Sequence, residues 1–292
     1  MSYQVTDVRA NSGDSGFLLR GDNWAALYDT GFGFSGKDLA DRVEKALGGQ
    51  PLDAVLLTHS HYDHALGAAH VKDRWPAAKI VAGQRTKEAL ARSDVRERLE
   101  KMDATIAVKF GITDYDAGLD RLAIDTVLED GESITLGDRT FTLLHLPGHT
   151  HCSVGYYMAE EQLLLGCESL GVFGKGGEVF PACLVGYELS LASIERVMAM
   201  DVKNVVVPHY GLLGAEETAR YFVRGRESTV ETAELICGIL RRGGSRDEAI
   251  DAFRKLFYGE DVRAFYPEEA MRLNTGLMVD LFAKELLEKP VK

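Results

Sequence analysis

Three histidines and one aspartate fall within the hexapeptide HSHYDH, residues 59–64, directly after the apolar run DAVLLT at 53–58. Imidazole nitrogens and carboxylate oxygens are the usual ligands of divalent transition metals. One histidine alone is more often structural, but three beside a carboxylate at the end of an apolar run point to metal. DAVLLT reads as a buried strand. On extended chain alternate residues share a face, so His59 and His61 point the same way. Asp63 and His64 follow where the chain turns into a helix, and such a turn aims four side chains at one small volume.

A metal site needs ligands from elsewhere to close it. The chain has eight histidines, at 59, 61, 64, 70, 145, 149, 151 and 209. His149 lies in HLPGHTHCS, just past the strand-like FTLL, and His209 lies in VVVPHYG, just past another apolar run. Both are strand ends, where ligands of a layered protein converge. His145 inside a strand and His70 inside a helix read as structural, and His151 reads as a rim residue.

The elements that must position these residues alternate along the chain. GFLLR and WAALYDTG read as strands joined at Gly21–Asp22, KDLADRVEKALGG as a helix ended by Gly48 and Gly49, and KIVAG as a strand. HALGAAHVKDRWP and QRTKEALARSDVRERLEKM each read as one helix. After about residue 120, ESITLG, RTFTLLHLP, SVGYYMA and QLLLGC read as consecutive strands, SLASIERVMAM as a helix and KNVVVPH as a last strand. From 216 onward only helices remain. Among them are ETAELICGILRRGG, SRDEAIDAFRKLFYG opening on a capping box from Ser245 to Glu248, and a segment started by Pro267. Alternating strands and helices in both halves predict two sheets packed face to face with helices outside.

The motifs resemble the metallo-β-lactamase superfamily. THSHYDH carries its HxHxDH signature, and YDTGFG at 28–33, LEDGESITLGDRTFTLLHLPGHT at 128–150 and VVPHYG at 206–211 resemble its other landmarks in order, over about residues 15–215. The resemblance implies an α/β fold, a four-layer αββα sandwich over residues 1–215, followed here by a helical extension over 216–292. It implies a dinuclear centre of two divalent metal ions. His59, His61 and His149 would hold the first and Asp63, His64 and His209 the second, with Asp29 as a buried support for the ligand loop. The helical extension makes the chain similar to the thioesterase branch typified by 2-aminobenzoylacetyl-CoA thioesterases.

Two positions depart from the family pattern. Pro208 precedes His209 where glycine is usual. The segment LLLGCESLG puts Cys167 where a bridging aspartate is expected, with Glu168 beside it. Adjacent residues on a strand face opposite ways, so one of the two is expected to reach the metal. Position favours Cys167 and charge favours Glu168; Cys167 is preferred, and the alternative is a buried thiol beside a surface carboxylate with neither on the metal. A thiolate would favour zinc over iron or manganese.

The resemblance implies a hydrolase that cleaves a small thioester, ester or lactone with a metal-bound hydroxide, with Asp63 both a ligand and the catalytic residue that orients the nucleophile. A small-molecule phosphodiesterase, or a metal-binding signalling protein acting through a partner, are the alternatives. The loop at 170–187 adds Phe173, Phe180 and Tyr187, and its glycines suggest a mobile lid, with a plain surface loop as the alternative. The formal charge of −12 argues against a nucleic-acid partner. The apolar runs are too short to cross a membrane, and the N-terminal residues carry no signal-peptide pattern, so the expected compartment is the cytoplasm. The four cysteines form no CxxC and no disulfide framework is expected. A small-molecule substrate and a homodimer through the C-terminal helices complete the expectation.

Overall fold

In the computed structural model residues 3–174, 176–263 and 266–288 are described. Lys175 of the 170–187 loop, and residues 264, 265 and 289–292 of the expected helical extension, lie outside them. The chain divides into two compact units, Met1–His145 with Val154–Leu165, and Leu146–Ser153 with Gly166–Lys292.

In the first unit, β1 (Gln4–Asp7), β2 (Phe17–Arg20) and β3 (Ala25–Tyr28) run antiparallel in sequence order. α1 (Gly36–Leu47) crosses over to β4 (Ala54–Leu56), which pairs parallel with β3. Two short helices, α2 (Tyr62–Ala65) and α3 (Ala68–Arg74), lead to β5 (Lys79–Gly83). Helices α4 (Gln84–Ala91) and α5 (Ser93–Lys109) precede β6 (Thr126–Leu128), and the sheet closes with β4, β5 and β6 all parallel. Strands β7 (Ser133–Leu136), β8 (Arg139–His145), β9 (Val154–Met158) and β10 (Leu163–Leu165) form an antiparallel meander. The core under the first sheet joins Leu18, Leu27, Val55, Leu57 and Ile80 to Leu39 and Val43 of α1 and Val71 of α3. A parallel strand covered on both faces has to be apolar throughout, which is why DAVLLT is a continuous run.

Two segments read as single helices are each broken. HALGAAHVKDRWP parts at Leu66–Gly67, where the Gly67 amide donates to the Gly31 carbonyl at 3.3 Å and the Asp63 carbonyl it would meet in a continuous helix accepts the Ser15 amide instead; residue 67 is glycine because a Cβ there would sit 2.1 Å from the Thr30 carbonyl. The second break falls at Arg92, whose backbone is extended (φ −83°, ψ 128°). There the Arg96 guanidinium turns back to donate to the Leu90 carbonyl at 2.5 Å and also to those of Leu119 and Leu122. It supplies partners for chain ends that a continuous helix would not expose.

The second unit holds a small hairpin, β11 (Val172–Phe173) with β12 (Val179–Phe180), then α6 (Tyr187–Met198) and the antiparallel pair β13 (Asn204–Val207) and β14 (Gly211–Leu213). Helices α7 (Ala215–Arg241), α8 (Arg246–Phe257), α9 (Glu260–Arg263) and α10 (Glu268–Phe282) follow, the last running into a π-helical turn at Ala283–Leu287. α8 is capped as its sequence predicts: Ser245 Oγ accepts the Glu248 amide at 3.1 Å. The expected lid is instead built into the helical core. Phe180 is buried against Phe253, Phe257 and Tyr266, Tyr187 meets Phe282 edge-on, and Phe173 packs on Tyr210 and Tyr221. All four cysteines are buried, and none of them is in a disulfide. Among the described residues no helix is long and apolar enough to cross a membrane.

Candidate metal centre

In the first unit the site grows from the carboxyl ends of β3 and β4. Because these strands are parallel neighbours, the segments leaving them emerge at one edge, where ligands of open α/β sheets gather. The Asp29 amide donates to Leu56 O at 3.1 Å, and Asp29 itself sits at φ +54°, a conformation that aspartate tolerates better than most residues. Its carboxylate is fully buried and accepts from the Thr58 amide (2.9 Å), Thr58 Oγ1 (3.0 Å), Ser15 Oγ (2.9 Å) and His64 Nδ1 (2.7 Å). With its proton donated to Asp29, Thr58 Oγ1 accepts in turn from His59 Nδ1 at 3.0 Å. One buried carboxylate thus fixes the tautomers of two imidazoles, directly for His64 and through Thr58 for His59, and leaves Nε2 of each as the ligand atom.

The turn that carries the cluster is held by its backbone. His61 is the N-cap of α2, and its carbonyl accepts the amides of His64 and Ala65. The His64 carbonyl accepts both the amide and the hydroxyl of Thr30, at 2.7 and 2.8 Å, and Asp63 O accepts the Ser15 amide at 3.2 Å. The ring centroids of His59 lie 4.6 Å from His61 and 4.1 Å from His64. His59 and His64 are buried, and His61 and Asp63 are partly open to solvent.

In the second unit, His149 follows Gly148, whose φ of +145° and close contact with Ser190 leave no room for a side chain. The His149 amide donates to Ser169 Oγ at 2.9 Å, and its Nδ1 donates to the Ala182 carbonyl at 2.9 Å, which again leaves Nε2 as the ligand atom. His209, at φ +64° just after β13, places Nε2 3.0 Å from Oε1 of the buried Glu168. Cys167 is extended (φ −148°, ψ 170°), and its Sγ contacts the Leu146 carbonyl at 3.8 Å. The chain bends into a short 3-10 turn at Glu168, so the two adjacent side chains leave in different directions.

Among the described residues, three sets of histidine and acidic side chains could hold a metal ion: His59, His61 and His149; His59, His64 and Glu168; and Asp63, His64 and His209. Neutral imidazoles fixed through Nδ1, with carboxylates beside them, are a donor set that zinc, iron and manganese all accept. Glu168 belongs to a set and Cys167 to none. Of the remaining histidines, His70 donates from Nε2 to Asp116 O at 2.8 Å, and His151 is exposed. Sequence reasoning missed Ser15, Thr58 and Ser169, short hydroxyl side chains with no spacing signal of their own.

The family model described as Metallo-beta-lactamase superfamily matches residues 12–209. Acyl-coenzyme A thioesterase MBLAC2 of Homo sapiens is 27% identical over 226 residues, covering 70% of this chain and 75% of that protein. Hydroxyacylglutathione hydrolase GloC of Haemophilus influenzae is 24% identical over 230 residues, covering 77% of this chain and 100% of that protein. A metallo-beta-lactamase family protein of Thermus thermophilus aligns in structure with a TM-score of 0.63 at 17% identity, covering 97% of this chain and 94% of that one. A metallo-beta-lactamase superfamily protein of Sulfolobus tokodaii gives 0.57 at 18% identity, covering 76% and 85%. The fold is the α/β sandwich of these proteins, with helices at the C-terminal end.

Proposed function

This chain belongs to the metallo-beta-lactamase superfamily and is a metal-dependent hydrolase, and we propose that its substrate is a small acyl thioester. The reading rests on the Asp29 network, which holds two imidazoles in the metal-binding tautomer. The thioester is favoured by two relatives whose names describe acyl groups carried on a thiol.

We assign His59, His61 and His149 to one divalent ion, and Asp63, His64 and His209 to a second. Glu168, rather than Cys167, would supply a further carboxylate ligand. It is grouped with His59 and His64 and is hydrogen-bonded to His209. Zinc is the proposed metal. Bound there, the metal would polarise the substrate carbonyl and lower the pKa of a water toward ~7. The chain's own residues do the rest. Asp63, partly open to solvent, orients the attacking water and accepts its proton. Asp29 and Thr58 keep His64 and His59 from rotating as charge develops.

The test is turnover by zinc-loaded protein of an acyl-thioester panel beside a generic phosphodiester. Thioester cleavage that disappears in His59→Ala together with the metal supports the reading. Cleavage of the phosphodiester alone overturns it.

A further inference from the structure

The hinge between β3 and α1 carries two phenylalanines, Phe32 and Phe34, whose rings stack at 4.9 Å. Phe32 also stacks on Tyr62 at 5.6 Å, and Phe34 meets Phe110 at 5.5 Å. Phe32 and Phe34 are 5% and 9% exposed, whereas Phe110, just past α5, is 49% exposed. Ile106, Ile112 and Tyr115 pack against the two buried rings and remain partly open. The result is an apolar surface with a ring floor. It begins at Tyr62, between His61 and Asp63, and ends in solvent at Phe110.

The floor is held by buried carboxylates. Asp14 Oδ1 accepts the Phe32 amide at 3.3 Å, and Asp103 accepts the amides of Gly33 at 2.9 Å and Phe34 at 3.1 Å. Burying two carboxylates is offset here by the backbone amides that each accepts, and those bonds fix the loop. The charged groups that act on the polar members of this surface are acidic: Asp63 on Asp103, and Glu100 and Asp103 on Tyr115.

We propose that this surface seats the acyl half of the substrate, with the thiol half leaving by another side. The assignment rests on the thioester reading for the name of the substrate, but its test does not require turnover. The carboxylate product presents the same acyl chain to the same centre. Acetate, hexanoate and decanoate titrated calorimetrically into the zinc-loaded protein read the chain's contribution directly. Burying each methylene should tighten binding roughly fourfold until the surface is covered.

In Phe110→Ser, an exposed position where folding is not at stake, the gain from hexanoate to decanoate should shrink by at least tenfold. Val108→Ser, which alters a more exposed apolar residue outside the stack, should keep it. An undiminished gain in Phe110→Ser overturns the proposal, as does wild-type affinity that does not grow with chain length. Chain-length-dependent binding in a protein that cleaves no thioester would keep this surface and sink the thioester reading instead.

Discussion

The Nδ1–H of His64 donates to Oδ2 of Asp29 across 2.7 Å, with both groups buried. Removing the carboxylate frees the imidazole to take the other tautomer and, through Thr58, loosens His59 as well. Asp29→Asn keeps a side chain that tolerates the positive φ, so the fold should survive. Metal affinity measured by chelator competition should fall about 10- to 100-fold. Wild-type affinity in this variant would show that the ligands do not depend on Asp29.

Glu168 and Cys167 make opposite predictions although they are neighbours. Glu168→Gln removes the proposed charged ligand beside His209 and should lower bound metal by about one ion per chain. Cys167→Ser alters a thiol that faces a backbone carbonyl and should leave metal content unchanged. Metal analysis of both variants decides the matter, and the reverse pattern would return the ligand role to the cysteine.

Gly67→Ala should damage the centre from outside it. The added Cβ meets the Thr30 carbonyl at 2.1 Å, and Thr30 is the residue that clamps the His64 carbonyl with its amide and hydroxyl. Overpacking of this kind costs about 1–3 kcal/mol. The thermal midpoint should drop, and metal affinity should drop with it. A variant that loses stability while binding metal at wild-type affinity would uncouple Thr30 from the ligand turn.

The buried carboxyl of Asp14 is pushed up to about 6 by desolvation, against an ordinary 3.8 and despite the amides it accepts. Between those values the folded protein holds a proton that the unfolded chain has released. Asp14 therefore makes stability fall as pH rises from about 4 to about 6, by up to about 3 kcal/mol, with no further change above. Asp14→Asn should flatten that part of the curve of unfolding free energy against pH. An equal slope in both proteins would place the proton elsewhere.

The HSHYDH turn was legible because its ligands are close in sequence and follow a strand that must be apolar on both faces. The distant ligand-type residues His149 and His209 stood out for the same reason, each just past an apolar run. What escaped depends on contacts between distant residues. The break at Gly67 goes with its amide bonding to Gly31 and the Asp63 carbonyl to Ser15, and the break at Arg92 coincides with Arg96 reaching back to Leu90. The full length of α7 was hidden because Thr218, Gly225, Ser228, Thr229 and Thr232 lie on its buried face, where an apolar stripe is the usual signal. The preference for Cys167 assumed a strand continuing through Gly166. The bend at Glu168 that turns its neighbour elsewhere has no local sequence mark.

The central claim is that one centre, supported by Asp29, hydrolyses an acyl thioester. The most direct measurement is metal content and thioester turnover followed together as zinc is titrated into the stripped protein, in wild type and in His59→Ala. Wild-type turnover should rise with zinc and saturate at about two ions per chain, while His59→Ala should take up less zinc and stay inactive. Turnover at full rate without metal, or an active His59→Ala, would contradict it.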